Sequence, residues 1–307
     1  MQKNKKISLI FFAYGFMGKY SLESFKKNKF FDIRGIIVPG ENKFYKSNFN
    51  LNKISKKVEV LKSNNKIKIY NFIKRIKPNV VLVSTFNKIL DKKIIKLSKF
   101  INIHHGKLPK QKGRASVNWA ILMGRNSIYI TIHQVISKLD SGKIIQQKKI
   151  KIESKDNYQS VQLKIGNYLK NHISKIVFNY LQNKIKLKKN NQNNETWNSS
   201  RNPEDGMINF HEKTRYIHNL IRACSNKDFG AFCFLKEKKI IILESKINKR
   251  RVFEGIIPGR IIKIYKNGDV DCLCSDGILT IKKIYFKNKI LKPSHIIKST
   301  RDTLLND

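Results

Sequence analysis

Apolar runs alternate with amphipathic stretches over roughly the first half of the chain. Residues 7–13 (ISLIFFA) are apolar without interruption, the pattern of a strand buried on both faces of a parallel sheet. Further runs of this kind fall at Ile33–Val38, Val80–Val83, Ile101–Ile103 and Ile128–Val135, and Pro39-Gly40 closes the first of these as a turn. Residues 18–29, 66–76 and 91–99 read as helices between them. Strand and helix alternating in this order predict an α/β fold with a Rossmann-like, mostly parallel sheet. Residues 157–183 carry a long helical period through Val161, Ile165, Leu169, Ile173 and Val177.

The character then changes. Residues 186–200 are polar and Asn-rich, the composition of a linker. Beyond about residue 203 one helix (211–224) precedes short β-like runs at 231–235, 239–247, 259–265, 269–274 and 278–286, punctuated by Gly259, Gly268 and Gly277. We therefore expect a first domain over 1–185, a linker over 186–202, and a helix plus a small β-barrel over 203–307. The basic start and apolar middle of the N-terminus imitate a signal peptide, but no small-x-small cleavage site follows, so a buried first strand is expected. No apolar run reaches membrane-spanning length, and no membrane insertion is expected.

Charge adds less than its size suggests. Lys+Arg 64 against Asp+Glu 21 gives +43, which suits anionic partners such as nucleic acid or nucleotide sugars. The lysines are spread from Lys3 to Lys298 rather than clustered, which favours a solvated surface over a dedicated polyanion groove. The four cysteines contain no C-x-x-C pair, so neither a disulfide scaffold nor a metal is expected, and a reducing cytoplasm is the expected compartment.

Tyr14-Gly15-Phe16-Met17-Gly18 is only a G-x-x-G turn after a strand, and no P-loop or zinc-protease motif occurs. The informative stretch is 101–144. Asn102 and His104 are two apart on a strand, so both side chains leave one face, near a strand end where open α/β sheets place ligands. Asp140 follows another strand in an S-x-x-D-S-G turn. An amide, an imidazole and a carboxylate can together run acyl transfer to an amine: the amide donates to the oxyanion, the imidazole moves the proton, and the carboxylate orients the ring and raises its basicity.

The order N-x-H, L-P-x-x-x-G-R, N-W-A-I-L-x-G, T-x-H, D-x-G-x-I resembles the folate-dependent formyltransferases, and the likeness extends into the C-terminal part. It implies formyl transfer from 10-formyltetrahydrofolate, with an OB-like barrel as the second domain and no metal. Asn102 would stabilise the oxyanion, His104 would be the general acid/base, and Asp140 would orient it. Lys88, Ile89 and Leu90, Arg114, and Ile136, Ser137, Lys138 and Leu139 match the family's folate-contacting positions. Gly106-Lys107 stands where members usually have Ser-Leu, and Ser116 replaces a common Pro. His105 is expected to point away from the site.

Two acceptors compete. The stretch Pro39 to Ser47, then Asn118-Trp119, Arg201-Asn202-Pro203-Glu204-Asp205-Gly206 and Ile221-Arg222-Ala223, resembles the sugar-nucleotide branch, in particular UDP-4-amino-4-deoxy-arabinose formyltransferase. Arg201 and Arg222 would then hold the nucleotide's phosphates. The basic tracts 248–251 and 282–291 would instead suit methionyl-tRNA. An amino-sugar nucleotide is the expected acceptor, with tRNA as the alternative partner and a homodimer as the expected assembly. A non-catalytic basic RNA-binding protein on the same frame is a third reading, against which the intact Asn102, His104 and Asp140 argue.

Overall fold

The computed structural model of the chain describes residues 6–40, 58–86, 88–227, 229–248 and 252–305. Most of the Pro39 to Ser47 stretch, and Lys249 to Arg251 of the first basic tract, therefore lie outside the described residues. The chain forms two compact units. One comprises residues 1–113, 128–150 and 162–197; the other comprises 114–127, 151–161 and 198–307.

The elements run β1 (Ile7–Phe12), α1 (Gly15–Lys26), β2 (Phe31–Val38), β3 (Glu59–Lys62), α2 (Lys66–Ile76), β4 (Val80–Val83), α3 (Lys92–Ile95), β5 (Lys99–His104), β6 (Lys112–Gly113), α4 (Ser116–Leu122), β7 (Ser127–Gln134), β8 (Ile144–Lys151) and α5 (Tyr158–Leu181). The first unit's sheet has the order β3-β2-β1-β4-β5-β7-β8. Its first five strands in that order pair in parallel, and β5 and β7 pair antiparallel. This is the mostly parallel sheet expected. Leu9 to Phe12 of β1 are completely buried, which is why the run shows no polar alternation. The Phe11 ring meets Phe25 of α1 edge-on at 5.1 Å. Gly18 allows that approach, because a Cβ there would lie 3.0 Å from the Ala13 backbone; close packing accounts for the G-x-x-G turn. α2 starts where Asn65 Oδ1 accepts the backbone N–H groups of Ile67 and Lys68, at 2.9 and 3.1 Å.

Several boundaries differ from the sequence pattern. The first helix runs 15–26 instead of 18–29, and the stretch 91–99 holds a single helical turn, because Lys99 already belongs to β5. Of the elements from β1 to α5, the strands β3, β6 and β8 and the helix α4 were not expected. β8 lies at the end of the sheet order, with Ile144 and Ile145 buried and Lys148 and Lys149 exposed, so it carries neither a continuous apolar run nor strict alternation.

In the second unit, β10 (Ala231–Leu235), β11 (Lys238–Asn248), β12 (Ile261–Ile264), β13 (Val270–Cys274), β14 (Gly277–Phe286), β15 (Lys289–Leu291) and β16 (Leu304–Leu305) follow β9 (Trp197–Asn198) and α6 (Thr214–Ala223). The sheet order is β12-β13-β14-β11-β10-β16, with β15 beside β14, an antiparallel half-barrel in keeping with the small OB-like barrel expected. Asn118 of α4 donates to the Ala223 carbonyl at 2.8 Å and thereby fixes α4 to α6. The four cysteines are free and buried.

Phe11→Ala should destabilise the chain by about 3–5 kcal/mol, because it empties a fully buried aromatic position. Guanidinium denaturation measures this, and a loss below about 1 kcal/mol would contradict the packing described.

Candidate active site

The site is built on the antiparallel pair β5 and β7. Asn102 is the register partner of His133, and His104 of Thr131. With a side-chain period of two, Asn102 and His104 share one face of β5 and Thr131 and His133 one face of β7. Asp140 returns in the loop between β7 and β8. Its Oδ2 lies 3.5 Å from His104 Nδ1, and its Oδ1 lies 3.4 Å from Asn102 Nδ2 and 3.5 Å from His133 Nε2. The structure thus brings together the three residues that the sequence singled out. It adds His133, which stood in the T-x-H spacing without a role: its Nε2 is 3.1 Å from Asn102 Nδ2, and its Nδ1 donates to the Gln134 carbonyl at 2.8 Å. That second bond fixes the His133 ring beside Asn102 and Asp140.

The loop after β5 is held from below. Thr131 Oγ1 donates to the Gly106 carbonyl at 2.6 Å, and Gln147 Nε2 donates to the Leu108 carbonyl at 2.9 Å. The loop carries the Gln111 carbonyl to 2.7 Å from His104 Nε2, with Gln111 itself at φ +62°. A Cβ at Gly106 would lie 2.5 Å from His104 Nε2 and 2.6 Å from the Gln111 oxygen. The serine usual in the family has no room in this arrangement, so Gly106 is what permits the His104–Gln111 bond.

The electrostatics follow from burial. His104 and Asp140 are each only 7% exposed. Burial pushes the His104 imidazole below its ordinary value; Asp140 and the Gln111 carbonyl pull it up, while His133 and Lys112 push it down. The expectation that Asp140 raises the ring's basicity is met as a contribution, but desolvation outweighs it. Burial also works to raise the Asp140 carboxyl, yet His133, His104 and the Gly113 N–H outweigh it and hold the group below the usual value. Burial thus disfavours a charge on His104, while the facing donors favour a charge on Asp140. Once the ring takes a proton, its two N–H groups have acceptors in place, the Gln111 carbonyl and Asp140.

The expected folate-contacting segments fall as follows. β4 ends at Val83, the register partner of Asn102, and the chain continues to Lys88–Leu90. Leu90 and Val135 pack on the same apolar cluster as Phe12 and Phe100, so Lys88–Leu90 and Ile136–Leu139 flank one core. Ile89, Ile136 and Leu139 are exposed large apolar side chains, and Lys138 Nζ lies 3.6 Å from Glu195. Arg114, Arg201 and Arg222 belong to the second unit. Arg201 lies over the Trp119 ring at 5.3 Å and donates to the Asp205 carbonyl at 2.5 Å. Arg222 donates to the carbonyls of Asp156 and Glu153 at 2.6 and 3.0 Å and to Asn219 Oδ1 at 2.9 Å. Among the described residues no group of three or more His, Cys, Asp or Glu is placed to hold a metal, and no helix is long and apolar enough to cross a membrane.

His105 gives a pH test. Its Nε2 is buried without a hydrogen-bond partner, although the residue as a whole is partly exposed. Burial, helped by His104, pushes it down to about 4. The unfolded chain takes up this proton near about 6.5, before the native state does. The contribution to stability is therefore complete above that pH and falls as the pH drops toward 4. His105→Leu should flatten the fall in denaturation midpoint between pH 7 and pH 5; an unchanged slope would contradict the assignment.

Comparison with known proteins agrees with this geometry. The formyl transferase family model matches residues 40–177, and that of the formyl transferase C-terminal domain matches residues 201–301. The bifunctional polymyxin resistance protein ArnA of Wigglesworthia glossinidia brevipalpis is 31% identical over 265 residues, 83% of this chain, and the match spans 40% of that relative's length. Among solved structures, the N-formyltransferase from Helicobacter canadensis, in complex with folinic acid and dTDP-3-aminofucose, shares the fold with a TM-score of 0.67 at 21% identity, over 92% of this chain and 100% of that one. Methionyl-tRNA formyltransferase from Clostridium thermocellum has a TM-score of 0.60 at 14% identity, over 89% of this chain and 100% of that one. With both domain models matched in order, the chain belongs to the formyl transferase family, and it spans less than half the length of its ArnA relative.

Proposed function

We propose that the protein moves the formyl group of 10-formyltetrahydrofolate to the primary amine of a nucleotide-linked amino sugar. The convergence of Asn102, His104 and Asp140 in one buried cluster carries the reading. The free amine attacks the formyl carbon, and negative charge develops on the formyl oxygen. An Asn102 N–H receives that charge, replacing its 3.4 Å contact with Asp140. His104 takes the amine proton while Asp140 steadies the ring. His104 then gives that proton to the folate N10, so that the C–N10 bond breaks and tetrahydrofolate leaves as the intermediate collapses. The exposed Ile89, Ile136 and Leu139, with main-chain groups beside them, suit the flat, edge-polar pterin.

The acceptor reading rests on Asn118-Trp119 and the Arg201 to Gly206 segment, and the ArnA relative and the sugar-bound N-formyltransferase fold support it. One observation suits the second reading, methionyl-tRNA, as well as the first. A cleft of about 1620 Å³ in the second unit is lined by Lys213, Arg215, Arg222, Lys246, Lys282 and Lys283 among others, with Glu153 and Glu244. Such a lining suits phosphates, and both acceptors carry them.

His104→Ala should lower turnover by about 10²–10⁴-fold while leaving folate affinity close to the parent's. Calorimetry with 5-formyltetrahydrofolate and a formyl-transfer assay measure this, and parental turnover would refute the role. Competition of UDP- and dTDP-linked amino sugars against methionyl-tRNA at two salt concentrations tests the acceptor. Sugar formylation with a weak salt dependence is expected; preferred tRNA formylation that falls steeply with salt would overturn that part of the reading.

A further inference from the structure

Lys112 has no surface exposure at all, which an ammonium tolerates only when its protons are matched by acceptors. Its Nζ donates to Ser141 Oγ at 2.9 Å, to Glu195 Oε2 at 2.6 Å and to Gln192 Oε1, and it lies 5.2 Å from the Trp197 ring centroid. Its backbone N–H donates to the Thr196 carbonyl at 2.9 Å. The same stretch of chain reaches the catalytic loop a second time: Asn190 Nδ2 donates to the carbonyls of Asp140 and Gly142 at 3.0 and 3.1 Å. Asp140 needs such support. Its φ is +48°, a left-handed conformation that a non-glycine residue keeps only when its surroundings impose it.

We propose that Lys112 and residues 190–197 form a strap that positions Asp140, with the buried ammonium tying Ser141 of the catalytic loop to Glu195 and Gln192. The Asn-rich stretch that reads as a linker is then part of the catalytic support. Lys112 is a positioning residue, acting through Ser141 and through the neighbouring Gly113, whose N–H donates to the Asp140 carboxylate. The proposal rests on the acid/base reading of His104 and Asp140. Because Lys112 is also one of the charges around His104, the device leaves a trace in the pH profile. The titratable groups facing that ring are Asp140, which raises it, His133 and Lys112, which lower it, and His105, which lies directly beside it.

The test uses the full chain and the acid limb of kcat/KM, which reports His104 in the free enzyme. Lys112→Met should lower kcat by about 10²-fold, with little change in KM for 10-formyltetrahydrofolate, and move the acid limb to higher pH. Lys112→Arg should leave the limb in place. Glu195→Gln, which keeps the ammonium and removes its counter-charge, should move the limb to lower pH. Parental turnover and an unmoved limb in Lys112→Met would overturn the proposal. If that variant does not fold, an unmoved limb in Glu195→Gln together with parental kcat in Ser141→Ala overturns it. Asp140→Asn run alongside separates the two ideas: if it retains turnover, the acid/base reading has failed rather than the strap.

Discussion

The structure turns on the burial of one imidazole beside one carboxylate. Desolvation disfavours a charge on His104, and the ionised Asp140 favours it. Acceptors for both ring nitrogens surround it, with Gln111 at Nε2 and Asp140 at Nδ1. Burial lowers the ring's affinity for a proton, and Asp140 offers a partner to a protonated ring, so the two act on the same ring in opposite directions.

Everything near the pair serves its geometry. The antiparallel register of β5 and β7 puts His133 against Asn102 and Thr131 next to the loop after β5. Gly106 leaves the space through which the Gln111 carbonyl reaches His104. Asp140 is held in a conformation that its own backbone does not favour. The parallel core beneath supplies a rigid base, since Leu9 to Phe12 are entirely buried.

Much of this was legible in the sequence, for identifiable reasons. The central strand shows as an unbroken apolar run because both its faces are covered. Asn102 and His104 show as a pair because strand periodicity puts residues two apart on one face, and Asp140 joins them through the ordered motif. His133 and Lys112 were not legible. His133 gains its place from a strand register between positions 31 residues apart, and Lys112 gains its from Gln192 and Glu195, 80 and 83 residues away, and from Ser141. In a lysine-rich chain a single buried lysine leaves no compositional mark. β8 was missed because its exposed lysines hide a half-buried end strand.

The account's central claim is that burial and Asp140 act on His104 in opposite directions. NMR titration of the His104 ring in the intact chain and in Asp140→Asn measures both. The account predicts a ring that titrates below the ordinary histidine value of about 6.5 and falls further when the carboxylate is neutralised. A ring that titrates at or above that value, or one that Asp140→Asn leaves unmoved, would contradict it.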